Sequence, residues 1–465
     1  MKLVKSLLLG TAAGLAAVSV ASAADLPSRK AAPVEYVRVC SEYGKGFFYI
    51  PGSDTCILIG GRVRSDTEWV QSNNRNQDTF NFGLQARLHV DIRSRTPYGT
   101  VRAFTRYVAS RGNKNWNADF GNKGTGSDNN AAAIDLAYIQ FAGLTAGRVQ
   151  SFFDFYANDK NFSTIRNSDL KTEALAYTAT FGSGFSATLA IENGTNRRLN
   201  GNTFYGPGFD DNGYITDWGT AYSAGAVGYG GQSVPDVVGV LRVDQSWGSA
   251  QLAAAMHQIR PTASVNGNPY DNGTYGDTKY GWAVKGGVKL NLPMIAPGDE
   301  LWLEAAYAQG ALSYIGAPGS LNQGDIYLPV TDAFIGNNGN VRRAKGFSVM
   351  ANFLHYWTPS IRQNLFGSYM RISNGRQGYG TTDEFASVGV GNFNYGFVDA
   401  TEWKVGTNVI WSPIKNFDIG VEVLYSRLDP KGRVLSINNG RDYYNGKTIS
   451  ADDSWQGRLR IQRDF

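Results

Sequence analysis

The sequence predicts an all-β fold, a transmembrane antiparallel up-and-down barrel of sixteen strands. Three observations predict it. Segments of alternating apolar and polar residues recur along nearly the whole chain, the connections between them alternate long and short, and no apolar run after the N-terminal leader approaches the ~18 residues that a spanning helix needs.

The first residues, MKLVKSLLLGTAAGLAAVSVASA, place Lys2 and Lys5 before an apolar stretch and end on Ala21-Ser22-Ala23. This is the pattern of a secretory signal peptide over 1–23, with the mature chain beginning near Ala24. Loss of the two lysines takes the basic residues from 44 to 42 against 39 acidic ones, a mature net charge of +3. Such a balance argues against a nucleic-acid partner. The 56 Gly, 25 Tyr, 24 Phe and 10 Trp suit strands and polar loops better than helices. Cys40 and Cys56 enclose the loop SEYGKGFFYIPGSDT in an exported chain, so a disulfide is expected, within an N-terminal segment 24–56. Neither CxxC spacing nor a nearby histidine supports a metal or redox pair there.

The barrel is expected over 57–465, with strands near 57–70, 79–94, 99–110, 133–141, 144–153, 173–181, 185–192, 236–246, 249–258, 280–291, 300–309, 346–357, 361–373, 402–411, 417–428 and 454–465. Eight long connections (71–78, 111–132, 154–172, 193–235, 260–279, 310–345, 374–401 and 429–453) alternate with short ones such as RTPYG, Ala142-Gly143, GSG at 182–184 and SPIKN. A sandwich with crossing connections would not sort its loops this way. A barrel of hairpins must, and an even strand count puts both ends on the short-turn, periplasmic side.

The faces of the strands fix which side is wet. Phe80, Phe82, Leu84, Ala86, Leu88, Val90 and Ile92 share one face of 79–94, and Arg87, His89, Asp91 and Arg93 share the other. A deep arginine facing lipid would cost as much as ~2–4 kcal/mol, so the charged face lines a lumen. Strand 57–70 repeats this with Arg62, Arg64, Asp66 and Glu68, and 99–110 with Arg102 and Arg106, so three neighbouring strands make a basic wall. Aromatic residues near strand ends, among them Trp69, Tyr98, Tyr138, Trp302, Trp357, Tyr369, Trp403, Trp411, Tyr425 and Trp455, are expected to form interfacial girdles. The ending WQGRLRIQRDF carries a terminal Phe465 on an amphipathic strand, with Arg463 on the face of Leu459 and Ile461.

The runs EYVRVCSEYGKGFFYIPGSDTCILIGGRVR and AYIQFAGLTAGRVQSFFDFY, together with WQGRLRIQRDF, resemble the alphaproteobacterial outer-membrane porins of the rhizobial and Brucella type, over essentially the whole mature chain. The resemblance implies a homotrimer in the outer membrane of a Gram-negative bacterium, in contact with its lipid and lipopolysaccharide. It also implies an inward-folded third loop that forms the constriction; here that loop follows GRVQSFFDFY. On this basis Arg62, Arg64, Arg87, Arg102 and Arg106 are expected to face Asp154, Asp159 and Asp169 across a narrow aqueous opening, whose transverse field acts on ions and small hydrophilic solutes.

Catalysis finds little support. The histidines are His89, His257 and His355, neither GxSxG nor HExxH occurs, and the Gly-rich GAVGYGG at 225–231 lacks the following Lys-Ser or Lys-Thr of a phosphate cradle. No enzyme, metal or cofactor is expected. Asn161, Asn193 and Asn272 match a glycosylation pattern by chance in an Asn-rich chain. Three functions remain: a channel for passive diffusion, a substrate-selective channel, and a barrel presenting its loops as a receptor or adhesin. Lumen faces read as charged and small residues, without an aromatic track, favour passive diffusion.

Overall fold

A computed structural model describes residues 38–72, 78–113, 129–199, 204–209, 215–222, 228–261, 277–335, 340–375, 379–381, 394–436 and 448–465. The expected signal peptide lies outside them. Sixteen long strands form a ring: β1 Thr55–Val70, β2 Phe80–Thr96, β3 Gly99–Gly112, β4 Asn129–Phe141, β5 Leu144–Gln150, β6 Lys171–Gly182, β7 Phe185–Glu192, β8 Asp236–Gln245, β9 Gly248–Ile259, β10 Lys279–Asn291, β11 Glu300–Gln309, β12 Lys345–Thr358, β13 Ile361–Ser373, β14 Ala400–Ile414, β15 Phe417–Pro430 and β16 Asp452–Asp464. Each pairs antiparallel with the next, and β16 returns to β1 from Arg62↔Asp464 to Val70↔Gln456.

Two of the short turns place a glycine second in a left-handed pair, behind an alanine or serine that takes the same backbone region. Ala142-Gly143 and Ser183-Gly184 have φ of 49° and 88°, and 49° and 78°. Two successive positive values match the twist of the flanking strands, as a two-residue hairpin requires. At the seam, Gly61 exchanges backbone hydrogen bonds with Phe465 (2.8 and 3.0 Å). A Cβ on Gly61 would lie 2.4 Å from the Phe465 ring, so the glycine makes the seat on which the terminal aromatic closes the barrel. Arg463 is exposed beside that seam and donates to the Lys415 carbonyl of the adjoining turn at 2.7 Å.

The barrel is turned inside out relative to a soluble sandwich. Leu252 and Leu189 on the outer face are 65% and 64% exposed, whereas Lys404, Glu402 and Asn352 on the inner face are 0% exposed. Outside, Trp403, Tyr425 and Trp455 form a contiguous aromatic row, with successive ring centroids 5.0 and 4.9 Å apart. Two of the aromatic residues expected in the girdles lie inside instead. A register shift between Arg106 and Tyr107 against β4 reverses the facing of β4 and turns Tyr138 into the lumen. Trp302 shares the inner face with Glu300 and Glu304 and packs on the lumen residues Phe155 and Tyr156.

One of the long connections folds back over the mouth. Residues 310–344 carry a helical turn, Leu312–Ile315, and a small hairpin of Ser320–Gln323 with Ile326–Pro329. They cross to β16, where Asp325 donates its backbone N–H to Asp452 at 2.5 Å. The largest cluster of buried apolar side chains sits here, joining Leu312, Ile315, Leu321 and Leu328 to Met370, Ile372 and Leu428 of the wall. At the other mouth Cys40 and Cys56 form the expected disulfide (S–S 1.99 Å). The first strand starts at Thr55 rather than 57, so Cys56 already belongs to the barrel.

Candidate functional site

The expected strand 144–153 stops at Gln150, and the chain turns into the barrel. The cause is Glu192 at the end of β7. Its carboxylate accepts from the Ser151 hydroxyl at 2.7 Å and the Phe152 N–H at 2.8 Å, replacing the ladder partners that β5 would otherwise need. Residues 151–170 then travel along the inner wall toward β16. Gln251 of β9 donates to the carbonyls of Phe152, Phe153 and Asp154 at 3.4, 3.3 and 3.2 Å. Glu304 of β11 accepts the Tyr156 N–H, and Asn364 of β13 and Asn408 of β14 donate to the Lys160 carbonyl at 2.6 and 3.0 Å. Glu422 of β15 receives the N–H groups of Phe162 and Ser163 at 2.6 and 2.7 Å. Arg458 of β16 donates to the Phe162 carbonyl, and Arg166 pairs with Glu402 of β14.

Two aromatic side chains key the loop to the wall. Phe155 sits over Gly287 and Phe162 over Gly420, where a Cβ would come within 2.5 and 2.6 Å of the rings. The Arg460 guanidinium covers the other side of Phe162 at 4.1 Å from the ring centroid. Tyr156 donates to Asn161 at 2.5 Å and accepts from Asn352 of β12 at 2.9 Å, and its burial keeps the phenol protonated well above the usual tyrosine range. None of these wall residues was singled out in the sequence. Glutamates and asparagines facing a lumen look the same whether they meet water or a loop, so only the fold reveals their partners.

The basic wall occupies β1–β3, which these loop contacts leave uncovered. Most of its arginines are paired on the wall itself. Arg62 donates to Asp464 at 2.6 Å, and Arg106 to Asp135 at 2.6 Å. Arg102 makes a bidentate pair with Asp91 (2.9 and 2.9 Å), which Arg93 also grips. Arg64 lies 3.9 Å from Asp66, which is held bidentately by Arg460. Arg87 has no carboxylate within ion-pair distance among the described residues, and its buried Nε has no hydrogen-bond partner.

The three loop carboxylates fall in different surroundings. Asp154 is buried in the loop's stem, where it accepts from Gln150 at 2.6 Å and the Leu170 N–H at 2.7 Å and lies 3.4 Å from Arg197. Its oxygens are committed to holding the loop together. Asp159 and Asp169 are exposed. Asp169 accepts from Gln150 at 3.0 Å and Asn158 at 3.1 Å; hemmed in by the loop and wall and close to Asp154, its carboxyl is raised above the usual range.

The lumen also carries an aromatic row that the sequence reading did not anticipate. His89, Phe104 and Tyr138, from β2, β3 and β4, stack with centroids 6.0 and 5.2 Å apart and interplanar angles of 25° and 24°.

Comparison with known proteins agrees with this architecture. A family model described as "Porin subfamily" matches residues 25–458. Porin Omp2b of Brucella neotomae is 33% identical over 471 residues, covering 99% of each chain. Porin Omp2b of Brucella suis is 34% identical over 316 residues, 62% of this chain and 80% of that protein. The crystal structure of the outer membrane channel DcaP of Acinetobacter baumannii shares the fold, with a TM-score of 0.56 at 15% identity, covering 90% of this chain and 99% of that one. The chain belongs to the porin family, and it is a channel of the Gram-negative outer membrane for passive diffusion.

Proposed function

We propose that the filter of this channel is the gap between the loop 151–170 and the arginine wall of β1–β3, and that small hydrophilic solutes and ions pass through it. The observation that carries this reading is the attachment of the loop to the inner wall from β7 round to β16, opposite Arg62, Arg64, Arg87, Arg102 and Arg106. Exposed Asp159 and Asp169 supply negative charge on the loop side. Asp154 contributes by holding the loop's stem. Opposed charges across a water-filled gap make a field that admits ions and polar solutes and disfavours apolar ones.

Membership of the family supports assembly as a homotrimer with its aromatic girdle and apolar outer face against outer-membrane lipid and lipopolysaccharide. It also supports removal of residues 1–23 on export, leaving the segment 24–56 ahead of the barrel. Purified protein in a planar bilayer should open in groups of three conductance steps that scale with bulk electrolyte. Folded protein that produced no steps would overturn the reading.

A further inference from the structure

We propose that the wall of β2–β4 holds a subsite for monocyclic aromatic carboxylates, the carboxylate on Arg87 and the ring against the row of His89, Phe104 and Tyr138. The subsite rests on the diffusion reading, since the solute reaches it through the same lumen.

Alternate residues of a strand share one face, so Arg87, His89, Asp91 and Arg93 follow one another down β2 in steps of about 7 Å. On β3, Arg106 stands opposite His89, Phe104 opposite Asp91 and Tyr138, and Arg102 opposite Arg93. The wall therefore changes character along the path: guanidinium groups, then rings, then guanidinium groups again. His89, Phe104 and Tyr138 are half-buried, so part of each ring meets lumen water. Arg102, 5.2 and 5.5 Å from the centroids of Phe104 and Tyr138, holds both rings upright against the wall. Half-wet rings in a charged lumen are an unfavourable place for water and a favourable one for another ring.

Arg87 supplies the second half. Arg62, Arg102 and Arg106 each have a carboxylate partner, whereas Arg87, between Arg62 and Arg106, has none among the described residues. A solute carboxylate on the outer Nη groups of Arg87 would give it the counter-charge that its neighbours already have, in the planar geometry that guanidinium favours. The chemistry selects one class. An aliphatic acid meets the charge but not the rings, and a neutral arene meets the rings but not the charge. An aryl carboxylate meets both, one strand step apart.

The test is block of the potassium chloride current through the purified full-length protein in a planar bilayer by benzoate, acetate or cyclohexanecarboxylate, each normalised to the variant's own open-channel current. Benzoate should block saturably at a concentration about tenfold below the other two. Phe104→Leu, Tyr138→Leu and Arg87→Gln should each raise the half-blocking concentration of benzoate about three- to tenfold. Phe104→Tyr, which keeps a ring, should retain the parent value, separating loss of the ring from loss of the fold. Normal conductance with equal block by benzoate and acetate, or with benzoate block unchanged in both leucine variants, would overturn the subsite and leave the diffusion reading standing. Absence of any conductance from folded parent protein would overturn both.

Discussion

Arg166, in the part of the inward loop that lies against β14, is clasped by Glu402 of that strand through two hydrogen bonds, Nε to Oε2 and Nη2 to Oε1, the second at 3.0 Å, with both side chains 3% exposed or less. Removing one member takes from the other its two-point partner in a place away from water. Glu402→Leu should therefore destabilise the protein by about 3–5 kcal/mol, and Arg166→Leu in the same background should recover much of that loss, because a buried pair gives back little over an apolar replacement. Denaturant titration of the single and double variants checks this. Additive losses would mean the two side chains are not coupled.

Glu422 carries a different load, since it binds two backbone N–H groups of the loop and touches no loop charge. Glu422→Ala removes charge-assisted bonds of about 1.5–3 kcal/mol each at one point, while Arg166 and Tyr156 still hold the loop on either side. The expected result is a folded channel with higher and noisier single-channel conductance and a larger size limit in liposome swelling. Unchanged conductance would show that the loop is held without Glu422.

The loop carboxylates should separate by function. Asp159→Asn with Asp169→Asn should move the reversal potential in a salt gradient toward anions, more so in dilute salt, where the Debye length grows from about 10 Å at 0.1 M to about 30 Å at 0.01 M. Asp154→Asn should instead act on stability, because its oxygens serve Gln150, Leu170 and Arg197 inside the stem. A selectivity shift from Asp154→Asn equal to that of the exposed pair would contradict this division.

Acid should have a related effect. The Asp169 carboxyl is raised by its partial burial and by Asp154, so as pH falls it takes up a proton before an ordinary carboxylate does. The loop thereby loses negative charge while the arginines keep theirs, and anion preference should increase at a pH above the usual carboxylate range. Reversal potentials measured across that range check it. The shift should vanish in Asp169→Asn.

Much of this molecule was legible in its sequence because hairpins are local. The alternation in 79–94 and the positive-φ turns at Ala142-Gly143 and Ser183-Gly184 are written in neighbouring residues, and strand parity was enough to aim Arg62, Arg87, Arg102 and Arg106 inward. Tyr138 was placed in a girdle for its nearness to a strand end, and it faces the lumen beyond an irregularity in β4 that no propensity marks. Trp302 was misassigned because nearness to a strand end was weighed above facing. The loop's path was beyond reach for another reason. Its partners lie up to 296 residues away, as in Arg458 with Phe162, and a lumen glutamate carries no sign of what will reach it.

The loop's attachments also have a mechanical meaning. A closed ring of sixteen strands is a hoop, and a hoop resists stretching well but flattens easily under side load, since flattening only bends its wall. The segment 151–170 is a second layer laid along the inside of that hoop, tied at Glu192 at one end and at Glu402, Glu422 and Arg458 toward the other. Flattening the hoop would change the distance between those ties and so load the hydrogen bonds and the seats of Phe155 and Phe162 in series. The contacts that seat this segment on the wall thus oppose flattening of the cross-section by the lateral pressure of a surrounding membrane.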